Sequence, residues 1–218
     1  MAMSGGTRSP APESTRAPRL PREQRRQQVL EAALEVFSTA GYHAASMDVI
    51  ADRAGVSKPV LYQHFPGKLD LYLAILDAGI DDLMAAGRQA LLGTTDNSLR
   101  VSAMINAYFT FVEEPRGAFR LVFESDLANE PAVRQRVDAA DLALARLTAS
   151  VIAEDTGLSD DQALLLASGM QGMVQVAARR WLRGGADTVS RAEATELITS
   201  LAWRGISGFP LTHPPQPE

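Results

Sequence analysis

Apolar residues recur along this chain at intervals of three and four, the period of a helix with one buried face, and no useful stretch shows the strand period of two. From Arg22 onward, Leu30, Ala33, Leu34 and Phe37 form such a stripe, with Glu31 and Glu35 outside it. Gly41 is placed to end this helix in a left-handed conformation. A second helix is expected after Ser46, a good N-cap, with Asp48 in its first turn, where the helix dipole favours an acid. Met47, Ile50, Ala51 and Ala54 repeat the spacing over too short a length to be stable alone, so this segment must pack on its neighbours. Gly55 then permits a sharp turn, and Ser57 is expected to cap a third helix through its hydroxyl. Pro59 falls in the first turn, where its missing N–H costs nothing; Leu61 and Phe65 face inward; Pro66-Gly67 ends the helix. Two short helices joined by a tight glycine turn make a helix-turn-helix.

The remainder reads as longer helices over roughly 68–92, 98–113, 116–126, 130–154, 159–183 and 190–207. Ser159-Asp160-Asp161-Gln162 and Ser190-Arg191-Ala192-Glu193 are capping boxes that locate the last two starts. The expected fold is all-α with about nine helices: a helix-turn-helix head over 21–68 and a helical body for ligand binding and dimerisation over 69–209. Residues 1–20, rich in Pro, Ser, Gly and Arg, read as a flexible basic arm, and 210–218 as a tail.

Charge distribution changes the picture. The net charge is −5, but residues 1–68 hold nine Lys/Arg against six Asp/Glu, whereas 69–218 hold twelve against twenty. A basic head on an acidic body concentrates attraction for phosphate at one end. Arg8, Arg16 and Arg19 of the arm could add phosphate or minor-groove contacts, or simply be solvated. With no cysteine, disulfides, thiolate metal sites and thiol nucleophiles are excluded. No long apolar run or signal-peptide pattern is present, so a soluble, cytoplasmic protein without a membrane partner is expected.

If Leu61 and Phe65 turn inward, the segment from Ser57 to Lys68 presents a DNA-reading surface. A recognition helix enters the major groove N-terminus first, which puts Lys58 and Pro59 nearest the base edges. Tyr62 and His64 can donate to phosphates, and Gln63 could pair with adenine. Lys68 opens the next helix, where its charge and that helix's amides could hold one phosphate. Ser46 and Tyr42 sit by the duplex on this geometry, while Met47 reads as core.

The stretch Gly41-Tyr42, Ser46-Met47-Asp48-Val49-Ile50-Ala51, Ala54-Gly55-Val56-Ser57 and Val60-Leu61-Tyr62-Gln63-His64-Phe65 with Lys68 resembles the signature of the TetR family. The resemblance spans Arg22 to Lys68, where capping, turn and core positions match together. It implies a homodimer on a palindromic double-stranded operator, held by the two C-terminal helices, with a ligand pocket in the middle helices. Leu166, Trp181, Leu197, Leu201 and Trp203 are the dimer contacts expected on that arrangement.

A narrower resemblance links Phe119-Arg120-Leu121-Val122-Phe123-Glu124-Ser125-Asp126, Glu130-Pro131, Trp181-Leu182, Ala202-Trp203-Arg204-Gly205 and Pro210-Leu211-Thr212 to actinobacterial fatty-acid-synthesis regulators of this family. It implies long-chain acyl-CoA as effector. Residues that could wall a pocket for a hydrophobic effector are Met104, Tyr108, Phe109, Phe111, Phe119, Val122, Phe123, Met170, Met173 and Val174, although the same stripes would serve as plain core.

No catalytic set is expected. His43, His64 and His213 lack metal-ligand spacing, there is no phosphate-binding glycine loop, and the adjacent pairs Asp81-Asp82 and Asp160-Asp161 point apart on a helix. Neither a metal nor a cofactor is expected. The helix-turn-helix alone leaves open a repressor of efflux or catabolic genes responding to a drug or metabolite, and fixes neither the operator nor the direction of regulation.

Overall fold

The structure, a computed structural model, describes residues 21–114, 127, 129–184 and 188–205. All regular elements among them are helices: α1 (Arg22–Ala44), α2 (Met47–Arg53), α3 (Lys58–His64), α4 (Lys68–Leu92), α5 (Asn97–Glu113), α6 (Pro131–Thr156), α7 (Asp160–Gly184) and α8 (Arg191–Arg204). Eight helices are thus described where about nine were expected. The helix expected over 116–126, the arm, the tail, and the candidates Phe119, Val122 and Phe123 lie outside the described residues.

Local chemistry sets the head's joints. Gly41 interrupts α1 with φ 76° and ψ 166°, a backbone region open to glycine alone; a Cβ there would meet nothing within 4 Å, so the requirement is torsional. Gly55 turns the chain between α2 and α3 with φ 62°. The N-cap of α2 is Ser46, whose hydroxyl accepts from the Val49 amide at 3.2 Å. Ser57 occupies the same position before α3, but its hydroxyl makes no capping bond, contrary to expectation.

These joints fold α1, α2 and α3 around Phe37, Ile50, Leu61 and Phe65, all buried. The cluster does not stop at the head. Leu71, Tyr72, Ile75 and Leu76 of α4, Leu127, and Val133 of α6 complete it. Phe37, Tyr42 and Tyr72 form an aromatic triangle with centroids 5.4–5.8 Å apart. Each fully buried side chain of this size contributes about 1.5–3 kcal/mol.

In the body, α5 sets Ile105, Phe109 and Val112 against Ala178 and Trp181 of α7 and Ala194 of α8. The α6–α7 pair packs alanine on alanine: Ala145 and Ala149 against Ala163 and Ala167. Ser190 and Glu193 form the expected capping box at the start of α8, and Ser159 exchanges bonds with Gln162 before α7. No described helix is long and apolar enough to cross a membrane.

Candidate nucleic-acid interface and effector cavity

Burial of Leu61 and Phe65 turns the rest of α3 outward. Ser57, Lys58, Pro59, Tyr62 and Gln63 are exposed, as is Ser46 at the head of α2; His64, at the end of α3, is half-buried beside Phe65. Seven of the eight residues expected to meet DNA therefore share one surface or its edge. Met47 is buried, in line with its reading as core.

The cations of this surface are engaged within the protein. Lys58 Nζ lies 2.7 Å from Asp48 Oδ2, and the hydrogen bond to that carboxylate raises the ammonium's pKa. Arg53 forms an ion pair with Glu35 of α1. The Arg26 guanidinium lies 5.2 Å from the Phe65 ring centroid, which sets the start of α1 beside the end of α3.

Lys68, the eighth expected contact, opens α4, and its ammonium is engaged by the protein's own backbone. Its Nζ donates to the carbonyls of Tyr42 at 2.8 Å, Ala45 at 2.9 Å and His43 at 3.4 Å, and sits 4.4 Å from the Tyr42 ring centroid. All three of its donors thus serve backbone oxygens left over at the end of α1. The ammonium pins α4 to the α1–α2 corner. Tyr42 has its phenol pKa raised, first by burial and then by the charges of Glu130 and Asp70.

Between the body helices lies a cavity of about 520 Å³. Of the candidates, Met104, Tyr108, Met170 and Val174 line it. Phe109 does not: it is fully buried and packs on Trp181, with centroids 5.5 Å apart. Phe111 and Met173 are half-buried outside the cavity wall, Phe111 against Tyr108. The apolar stripe of α5 is wider than the cavity, so one side of it serves the wall and the other the core.

Sequence reasoning missed much of the wall. Leu83, Gly87 and Leu91 come from α4, and Leu144, Val151 and Ile152 from α6, a helix whose many charges hide its inner face. It also missed the polar groups at the rim. Arg100 donates through Nε to the carbonyls of Leu91 and Thr94, and through Nη1 to Asn97 and, at 3.2 Å, to Asp155. Gln171 lines the wall and donates to Asp141, which also accepts from Gln175 at 2.8 Å. Burial raises the Asp141 pKa, although both amides lower it.

Of the expected dimer contacts, Leu166, Leu197 and Trp203 are about half exposed on α7 and α8, and Leu201 is half-buried. Leu166 and Trp203 also reach the cavity. Trp181 is core: it is 7% exposed, and its indole nitrogen donates to the Val189 carbonyl at 2.7 Å. Its position near the end of a helix suggested an outer anchor, but the side chain turns toward α5.

Comparison with known proteins agrees with this geometry. Residues 29–75 match the profile of bacterial regulatory proteins of the tetR family. The chain is 45% identical over 207 residues to the HTH-type transcriptional activator FasR of Mycolicibacterium smegmatis, covering 95% of this chain and 94% of that protein. Among solved structures, a TetR-like transcriptional regulator from Rhodococcus sp. RHA1 superposes with a TM-score of 0.69 at 29% identity, over 88% of this chain and all of the other. The fatty acid degradation regulator FadR from Bacillus halodurans superposes with a TM-score of 0.70 over 84% of this chain and 96% of the other; at 17% identity it shares the fold. These relatives are transcriptional regulators rather than enzymes. The length and identity of the match to FasR, together with the helix-turn-helix profile, show that the chain belongs to the TetR family of bacterial regulatory proteins.

Proposed function

We propose that this chain is a cytoplasmic, ligand-responsive regulator that binds a palindromic operator as a homodimer and controls fatty-acid synthesis genes in response to long-chain acyl-CoA. The observation that carries the lipid part is the cavity, about 520 Å³ and walled mainly by apolar side chains of the five helices α4 to α8. That volume falls within the range of about 300–1,000 Å³ typical of small-molecule sites. It suits a flexible apolar chain, with a bulky charged head remaining outside. The sequence resemblance to actinobacterial fatty-acid-synthesis regulators and the identity to FasR point the same way.

Support for the homodimer comes from the outer face of α7 and α8. Leu165, Leu166, Val176, Leu197 and Trp203 are between 49% and 74% exposed there, and Gly169 and Gly172 leave open space for a second backbone. An apolar face of this kind is what a second copy would cover.

The test is binding of the purified chain to DNA upstream of its own gene and of nearby lipid-synthesis genes, at fixed salt, with and without palmitoyl-CoA. Tight, sequence-dependent binding that palmitoyl-CoA alters is expected. Binding indifferent to palmitoyl-CoA would remove the lipid effector and keep the DNA reader. Absence of specific binding, here and in a genomic pool, would overturn the whole reading.

A further inference from the structure

The first residue of the recognition helix is held by an acid. Asp48 stands in the first turn of α2 and Lys58 at the start of α3; their charged atoms are 2.7 Å apart, and both side chains are more than half exposed. The pair bridges the two helix starts that face the groove, beside Ser46 and Ser57. An exposed carboxylate there opposes binding, because it faces a polyanion. Phosphate attraction alone would favour a neutral or basic residue at position 48.

The pair distinguishes two kinds of DNA surface. A phosphate that approaches the Lys58 ammonium, even through one of its other N–H donors, comes up against the Asp48 carboxylate and is repelled by it. A base pair in the major groove can satisfy both at once. Guanine offers O6 and N7 as acceptors to a lysine, and cytosine offers its N4 amino group as a donor to an aspartate. Within one G·C pair that O6 and N4 are hydrogen-bonded to each other, so they lie about 2.9 Å apart. The ammonium and carboxylate are already held at that separation.

We infer that Asp48 is a specificity-determining residue: with Lys58 it reads one G·C pair of the operator and withholds the lysine from phosphates. This rests on the DNA-reading function proposed above. Of the other cations in the described head, Arg53 is paired with Glu35 and Lys68 is bound to carbonyls, so neither is placed to do the same.

The test compares the full chain with Asp48→Asn, Asp48→Glu and Lys58→Met on two duplexes: one selected by the wild-type chain from a random pool, and a scrambled version of it. Thermal unfolding of each variant checks that the head is intact. Asp48→Asn should tighten binding to the scrambled duplex by roughly two- to fivefold at low salt, as expected for freeing one exposed charge. Its salt slope there should steepen by about 0.9. On the selected duplex it should bind no tighter, and single substitutions along that site should show one G·C pair losing its preference. Asp48→Glu should restore part of that preference, and Lys58→Met should abolish it. An equal change on both duplexes, or preference retained at every position, would overturn the inference while leaving the DNA reader intact. If wild type itself failed to distinguish the duplexes, the DNA-reading function would fall, and this inference with it.

Discussion

Gly87 of α4 lies so close to Leu144 of α6 that a Cβ on the glycine would stand 3.0 Å from a Leu144 methyl carbon. Both residues line the cavity, and Met104 of α5 closes on the same point at 3.7 Å. Two walls of the cavity therefore meet where one helix has no side chain.

Gly87→Ala adds a methyl group there. Alanine favours a helix interior by about 1 kcal/mol over glycine, and the Leu144 end can swing aside into the cavity. The unfolding free energy should stay within about 1 kcal/mol of wild type. On the lipid effector proposed above, the displaced Leu144 should instead reduce the thermal shift that palmitoyl-CoA gives, with affinity falling about tenfold, as for one misplaced methylene in an apolar pocket. Calorimetry on both proteins, with and without palmitoyl-CoA, separates the two effects.

Ser46 and Ser57 occupy equivalent positions before α2 and α3 but only Ser46 bonds its helix. Ser46→Ala should cost about 1 kcal/mol in urea unfolding, and Ser57→Ala only a few tenths. In DNA binding the comparison tests whether the exposed Ser57 hydroxyl meets the duplex, in which case Ser57→Ala weakens binding without changing stability.

Lys68→Met removes a cation from three carbonyls and from the face of Tyr42. The head should lose about 1.5–3 kcal/mol in denaturant unfolding, the range for hydrogen bonds to a charged group. The salt slope of DNA binding should not move. A slope shallower by about one unit would instead assign the lysine to a phosphate.

Asp141 makes stability depend on pH in a definite direction. Its pKa is raised in the folded chain from the ordinary 3.8, chiefly by burial. The folded state therefore holds this proton more tightly than the unfolded chain does. The associated stabilisation is fully present below the unfolded pKa and is lost as pH rises through the folded one. Asp141→Asn keeps an oxygen for the Gln171 and Gln175 amides without the charge. It should raise the melting temperature at neutral pH and flatten the acid side of the stability profile; an unchanged profile would show that solvent already compensates the carboxylate.

The features legible in the sequence were those fixed within a few residues. Gly41, Gly55, the Ser46 cap and the Ser190–Glu193 box announce themselves because their backbone torsions or short-range bonds depend on nearby residue types. The inward turn of Leu61 and Phe65 was legible for the same reason, and with it the outward face of α3. What failed was the assignment of apolar residues to partners. Phe109 and Tyr108 are neighbours on one stripe, yet one packs on Trp181 and the other reaches the cavity. Periodicity reports that a side chain is buried, not what it meets. Lys68 and Lys58 show the converse for charges: a residue type suited to DNA can first be engaged by the protein itself.

The head's core borrows Leu71, Tyr72, Ile75 and Leu76 from α4 and Val133 from α6. The boundary near residue 68 is therefore a division of labour and not a seam along which the molecule comes apart. Severing the chain there would leave Phe37 and Leu61 without a lid. The two parts are expected to melt together, as one transition in calorimetry, because they share this core. A molecule that binds the folded body alone thus raises the temperature at which the DNA-reading helices come undone, wherever on the body it sits.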